Sequence, residues 1–458
     1  MGERLAKIKE AKYELILWLG CMAFFVGFAL LHRDYSIGLK NIMIAGVALA
    51  ISIAGFSDMA RNGIRIHSTF LALFFLALFF NNFNLSATQV SKSFGDAYFF
   101  ILLPVAFVLM FMGVDRKVQL DPNDMRQEGK ESFSFVDYAM VFIIVAYVFL
   151  RVLSFEDTGL RFFTEGFEAE RSSEIGASGE GTGILTSLMW TIIMLLPCLK
   201  NKYVKWIAGL AIALTCVFCL KRGVVIRVLL FFLCYLLVLK GSFFFSRKGV
   251  LVLVLVALVG GYCFAVWGDA RQMARGAASD YSVSSIIESR IDNDFISWTY
   301  AYTALNFDVL KQCYIDGEVT GEFTELMKPV NRFVHGAAMY DDDENANLPS
   351  LNGFNASTFL GPFVRELGVF SIVSVLILGL LLRLLIQVIS CAKAYGVYIM
   401  ILSTVALAFF SNGFTTPNIV YAVFFALMVC GVNVLVNATA AQNRMTWSGR
   451  LKGVSEHE

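Results

Sequence analysis

Residues 183–239 read GILTSLMWTIIMLLPCLKNKYVKWIAGLAIALTCVFCLKRGVVIRVLLFFLCYLLVL. Three apolar runs, 183–199, 203–220 and 223–239, are joined by two short basic turns, Lys200-Asn-Lys-Tyr-Val-Lys205 and Lys221-Arg-Gly223. Each run approaches the roughly 20 residues a helix needs to cross the hydrocarbon of a bilayer. Each is apolar on every face, so no soluble layer would bury it. Working outward, further runs lie at 14–31, 40–57, 66–83, 97–114, 135–153, 249–267, 368–389, 395–411 and 418–436. The expectation is an all-α polytopic membrane protein of about twelve transmembrane helices forming one integral domain over residues 1–458.

Composition agrees. The chain is 57% hydrophobic with a mean hydropathy of +0.68, well above the soluble range. A net charge of +1 offers no field for nucleic acid. Eight of the nine cysteines fall in or at the edge of apolar spans and only Cys313 in a long polar segment, so no disulfide framework is expected. Cys216 and Cys219 read as small helix residues, without His or carboxylate neighbours to make a metal site. The first run is too long for a signal-peptide core and lacks a small-residue cleavage site, so no cleavable leader is expected.

Lys and Arg orient the chain. They crowd the N-terminus (Arg4, Lys7, Lys9, Lys12), alternate connections (Arg61 and Arg65; Arg116, Lys117, Arg126 and Lys130; Lys200, Lys202 and Lys205; Lys240, Arg247 and Lys248) and the tail (Arg444, Arg450, Lys452). Threading twelve spans puts all of these on one side, expected to be cytoplasmic, with both termini inside. The two long polar segments, 154–182 and 268–352, then share the outer face. The second carries 14 acidic and 6 basic residues, a net of −8. In it Ile286, Ile287, Ile291, Phe295, Trp298, Tyr302 and Leu305 recur near helical spacing, which predicts an amphipathic helix over 283–310. A second short helix is expected over Thr320–Lys328, ahead of Pro329.

Outward cations are the exception to the charge pattern and the first candidates for chemistry. Arg222 and Arg227 bracket the start of the span at 223–239, where a cation either pairs or binds an anion. Arg290 lies on the predicted loop helix, where its bland role is to pair with Glu288, Asp292 or Asp294. Arg271 and Arg275 flank the exit of the span before the loop, and Arg161 and Arg171 stand in the first outer segment. A guanidinium grips phosphate bidentately, so such a set suits a lipid diphosphate. His335 is the one histidine in either long segment and titrates in the range useful for proton transfer, though a lone loop histidine is more often plain surface. Glu168, Glu170, Asp292 and Asp294 are rival bases. Trp298 either sits at the membrane interface or stacks on a sugar ring. No His/Cys cluster has metal-ligand spacing, and neither a serine nucleophile elbow nor a phosphate-cradling loop is present, so no metal or cofactor is expected.

Residues Asn355-Ala-Ser-Thr-Phe-Leu-Gly-Pro-Phe-Val-Arg-Glu-Leu-Gly368 resemble the segment that closes the large periplasmic loop in Wzy-type O-antigen polymerases. Thr358, Gly361, Glu366 and Gly368 carry the likeness. Leu220-Lys-Arg-Gly223 resembles the Ser-Arg-Gly turn shared by these polymerases and O-antigen ligases, with Lys221 in place of Ser. Ser289-Arg290 through Trp298 resembles the entry helix of the ligase loop. Arg171 departs from the family's Arg-x10-Gly spacing, with nine residues before Gly181 and eleven before Gly183. The resemblance implies a metal-independent, GT-C-like glycosyltransferase of the bacterial inner membrane. It would join undecaprenyl-diphosphate-linked oligosaccharides at the periplasmic face, with a Wzz-type chain-length regulator as a partner. It further implies Arg222 and Arg290 on the donor diphosphate, assisted by Arg271 or Arg161, and His335 as base. Arg365 would bind a second diphosphate or pair with Glu366. An O-antigen ligase acting on lipid A core is the nearest alternative and a lipid-linked oligosaccharide transporter the next. A transporter, however, needs no long outer segments and concentrates charge at mid-membrane.

Overall fold

The computed structural model describes residues 39–87, 89, 95–118, 133–153, 180–218, 222–240, 249, 251, 255, 287–291, 293–315, 319–335 and 357–455. The expected spans at 14–31 and, apart from three positions, 249–267 lie outside these residues. Among the described residues every regular element is helical: α1 (Leu39–Asn62), α2 (Ile66–Asn81), a π turn (Tyr98–Leu102) running into α3 (Leu103–Asp115), α4 (Phe135–Leu153), α5 (Glu180–Leu195), α6 (Lys202–Phe218), α7 (Arg222–Leu239), α8 (Asp294–Thr303), α9 (Asn306–Ile315), α10 (Thr324–His335), α11 (Gly361–Leu367), α12 (Ser371–Ala392), α13 (Tyr395–Ala406) and α14 (Pro417–Ser455). Five helical stretches among the described residues are long and apolar enough to cross a membrane: Asn41–Asn62, Tyr98–Asp115, Phe135–Val152, Gly361–Ala392 and Pro417–Thr439. Large apolar side chains point outward from the bundle, among them Phe142, Trp206, Leu229 and Phe424. Outward apolar faces of this extent suit lipid and not water. The chain is a helical membrane protein.

The helices run alternately between two ends. At one end α1 stops, α2 starts, α3 stops and α13 starts, and a buried polar cluster joins them. His67 sits between two carboxylates: Nδ1 lies 2.5 Å from Asp115 Oδ2, and Nε2 lies 3.0 Å from Asp58 Oδ2, off the line a hydrogen bond needs. Asp115 also accepts the His67 backbone N–H at 2.9 Å and the Tyr398 hydroxyl at 2.7 Å. Nearby, Asp137 caps α4 through the Ser134 N–H and hydroxyl, at 2.8 and 2.6 Å. Its second oxygen accepts the N–H groups of Lys200 and Asn201, each at 3.1 Å, just ahead of α6. One buried carboxylate thus satisfies orphan donors ahead of two helices. Arg65, Arg116, Lys117, Lys200 and Lys393 all belong to connections at this end, called the basic end below.

Close packing of α1 on α2 and of α13 on α5 rests on glycine. A Cβ at Gly55 would lie 2.5 Å from Ala72 N, and one at Gly396 would lie 1.6 Å from Met194 O. Small residues of this kind let membrane helices approach backbone to backbone. An aromatic core of Phe70, Phe74, Phe107, Phe359 and Phe414, with centroids 4.9–5.9 Å apart, fills the bundle toward the opposite end.

Most expected spans coincide with helices. The run at 395–411 does not fill its length: α13 stops at Ala406, and Leu407–Phe410 turn by short-range bonds such as Leu407 N–H to Thr404 O, freeing a polar segment, Ser411–Thr416, ahead of α14.

Candidate functional site

The end opposite the basic one carries the loop helices, and polar side chains pin them to the spans. The single helix expected over 283–310 is replaced by an extended turn and two helices. Residues 287–290 pair antiparallel with 85–87: Arg290 N–H donates to Leu85 O at 2.8 Å, Ala87 N–H to Glu288 O at 3.1 Å, and Ser86 Oγ to Ile287 O. Glu288 has φ +45°, which no helix tolerates. Asn293 then caps α8, its side chain accepting the Ile296 N–H at 3.0 Å. α8 ends at Thr303, and α9 starts afresh at Asn306.

Two buried carboxylates hold α8 and α9 down. Asp308 Oδ2 accepts Asn81 Nδ2 at 2.6 Å and Gln89 Nε2 at 2.9 Å. Tyr300 donates to Gln89 Oε1 at 2.7 Å, completing a ring of polar groups between α2 and the loop. Burial, and then the Asp308 charge, push the Tyr300 hydroxyl well above its ordinary pKa. Asp96 accepts Lys311 Nζ at 2.6 Å and the Tyr314 hydroxyl at 2.5 Å. Burial, and then that hydrogen bond, raise the pKa of Tyr314.

α10 and α11 close the assembly. The helix expected over Thr320–Lys328 instead covers Thr324–His335, with Pro329 inside. Pro329 lacks the N–H that would reach back one turn, and its carbonyl accepts the Tyr421 hydroxyl at 2.6 Å from α14. The segment from Thr358 to Gly368 has a legible local role. Thr358 Oγ1 accepts the Leu360 N–H at 3.3 Å, and Gly361 packs against Ser357, leaving no room for a Cβ. Glu366 takes the Glu325 N–H on Oε1 at 2.7 Å and the Gly321 N–H on its carbonyl at 3.0 Å. Gly368 ends α11 at φ +53°, where a Cβ would come within 3.2 Å of Val319.

At the centre lies the turn freed by the early end of α13. Asn412 Nδ2 donates to Glu325 Oε1 at 3.1 Å and to Thr415 Oγ1 at 2.8 Å, and Thr415 also donates to Glu325 Oε1. Lys328 Nζ stands 3.7 Å from Glu325 Oε2. From the other side, Arg227 Nη2 donates to Ser411 Oγ at 3.3 Å and would sit 3.8 Å from a Cβ at Gly413. Among the described residues this is the guanidinium's one hydrogen bond, and no carboxylate pairs with it. A guanidinium has five donors, so a largely enclosed one facing a neutral turn is equipped to receive an anion. Ser411, Asn412, Thr415 and Glu325 went unremarked in the sequence because each is ordinary alone. The clue was the polar run Ser411-Asn-Gly-Phe-Thr-Thr416 between two apolar ones.

The chain has no match among protein-family models, curated proteins or solved structures.

Of the other expected site residues, Arg290 is exposed on the extended turn, not on a helix, and its charge reaches Tyr300. Arg365 is half-buried on α11, and its charge bears on the Cys313 thiol. Trp298 is only 2% exposed and stacks on Tyr302 at 5.4 Å, so its ring packs the loop and offers no open face to a sugar. His335 is exposed at the last residue of α10 and bonds to no described residue. Arg161, Arg171, Arg271 and Arg275 lie outside the described residues, as does the side chain of Arg222, whose backbone opens α7.

Proposed function

We propose that the chain is an oligosaccharide repeat unit polymerase of the Wzy type. In this reading it is a metal-independent, GT-C-like glycosyltransferase with about twelve spans. The basic end faces the cytoplasm and the loop end the periplasm. Its substrates are undecaprenyl-diphosphate-linked oligosaccharides, one as donor and one as acceptor. The observation that carries the reading is Arg227, enclosed at the loop end and directed at a neutral turn, where it can meet a lipid-borne anion.

The chemistry follows from the leaving group. An acceptor hydroxyl attacks the anomeric carbon of the donor sugar, and the bond to the diphosphate oxygen breaks with its electron pair. The hydroxyl proton passes to a base. Negative charge grows on the diphosphate, and fixed cations at that point lower the barrier. Arg227, with Arg290 and Arg222, takes that role. His335, open at the end of α10, is the base of this reading. The packed loop helices position the sugars above the bilayer and limit the water that would hydrolyse the donor.

The direct test incubates purified protein in detergent with its lipid-linked repeat unit and separates the glycans on a gel. A ladder without added metal supports the polymerase. Transfer only onto added lipid A core would make the chain a ligase. Inertness in both, with substrate proven active, would overturn glycosyl transfer.

A further inference from the structure

α10 is turned inside out by soluble standards. Glu325, Lys328 and Arg332 recur at helical spacing along one side of it. That side faces the bundle: Glu325 bonds to Asn412 and Thr415, Lys328 approaches Glu325, and Arg332 Nη2 would lie 3.6 Å from a Cβ at Gly183, at the start of α5. The opposite side carries Met327, Val330 and Val334, with Phe333 beside them, and it points outward. Phe333 is 80% exposed, Val334 64% and Val330 50%. An amphipathic helix in water turns its apolar face to the protein. Here the charged residues are half-buried against the bundle while the apolar residues are displayed, the reverse of what water favours.

We infer that α10 is an interfacial helix whose outward face is immersed in bilayer lipid. Position supports lipid as the occupant. Tyr421, one turn into the spanning stretch of α14, holds the Pro329 carbonyl, and its ring lies 6.2 Å from that of Phe333. α10 therefore lies level with the mouth of a span. Its exposed face continues onto the outward apolar side chains of that span, Phe424, Phe425 and Met428. Val369 and Phe370, at the mouth of the neighbouring spanning helix, are also exposed and apolar. Interfacial helices of this composition sink about 5–10 Å into the headgroup and acyl boundary. The bundle-facing charges of Glu325, Lys328 and Arg332 are thereby held at headgroup depth.

The test uses the full chain reconstituted in nanodiscs, with Phe333→Trp as reporter and the unsubstituted protein as the fluorescence baseline. The lipids are phosphatidylcholines brominated either near the headgroup or near the chain end. Loss of most of the added emission with the first lipid, and less loss with the second, is the expected result. Val330→Trp, one turn away, gives a second reporter should the first variant fold poorly. Equal emission in brominated and ordinary lipid, with ready quenching by aqueous iodide, would overturn the inference by placing the face in water. Protection from both quenchers, with cross-linking between the reporter faces of two copies, would overturn it in favour of a self-association surface.

Discussion

Lys311 and Asp96 face each other 2.6 Å apart in the loop assembly, both buried, one on α9 and the other just ahead of the π turn that opens α3. Such a pair adds little net stability over apolar residues of the same shape, but breaking it leaves a charge without its counter-charge. Lys311→Met is therefore expected to destabilise the protein by about 3–5 kcal/mol. Lys311→Met with Asp96→Leu should recover much of that loss, short of the Tyr314 bond. Denaturation of the two variants and the parent in detergent checks the order.

Alkaline pH should loosen the same loop. Burial pushes the Cys313 thiol up to about 12, against an unfolded value near 8.5. Burial and Asp308 push Tyr300 upward in the same direction. For a group whose folded pKa is raised, the stabilisation is complete below the unfolded pKa and is lost as pH climbs toward the folded one. The melting temperature should thus begin to fall above about pH 8.5, and more steeply above about pH 10 where tyrosine joins. Cys313→Ala should flatten the first part of that decline and Tyr300→Phe the second, read as differences from the parent across the pH series.

Gly396 is a position where one methyl group should suffice to disrupt the fold. An added Cβ would sit 1.6 Å from the Met194 carbonyl oxygen, backbone that cannot swing aside. Gly396→Ala is expected to abolish folded, monodisperse protein on size exclusion, whereas Gly209→Ala, where a Cβ meets nothing within 4 Å, should behave as the parent.

The apolar helices were legible because apolar composition over bilayer length leaves few alternatives: ten of the expected runs fall on helices among the described residues, and five helical stretches there are long and apolar enough to cross a membrane. The loop was less so. Ile287, Ile291, Phe295 and Trp298 keep a helical period across a segment that is half extended, because burial against the spans imposes the same pattern as a helix face. Glu288 at positive φ, paired beside Leu85–Ala87, is a tertiary event that periodicity does not encode. Pro329 predicts a helix stop, yet α10 runs through it; the missing N–H forfeits the bond to the Glu325 carbonyl one turn back, and the Tyr421 hydroxyl ties α10 to α14 at the Pro329 carbonyl. Arg227 was found by the cost of its charge. Glu325 and Asn412, 87 positions apart, meet only in the fold and had no local signal.

Asp115 is the keystone of the basic end. It accepts the His67 ring, the His67 backbone N–H and the Tyr398 hydroxyl, joining α2, α3 and α13. Asp115→Ala orphans all three buried donors at roughly 1–3 kcal/mol each. The expected loss therefore exceeds that of Tyr398→Phe, which removes one bond. Denaturation of the two variants and the parent in detergent checks the order.

Arg227 carries the sharpest prediction for function. Its guanidinium meets Ser411 Oγ at 3.3 Å and no described carboxylate, so its removal leaves no buried partner charge stranded. Under the proposed function, Arg227→Ala should therefore leave the melting temperature close to that of the parent while lowering glycan synthesis by about 10²–10³-fold, the usual effect of losing one donor to a developing anion. Arg227→Lys keeps the charge but not the planar fork, so it should restore only part of the rate. If the guanidinium instead served only to hold the 411–415 turn, Arg227→Ala would lower the melting temperature and Ser411→Ala would reproduce the defect. Measuring melting temperature and polymer yield for all three variants distinguishes a cation that stabilises the departing diphosphate from one that merely packs.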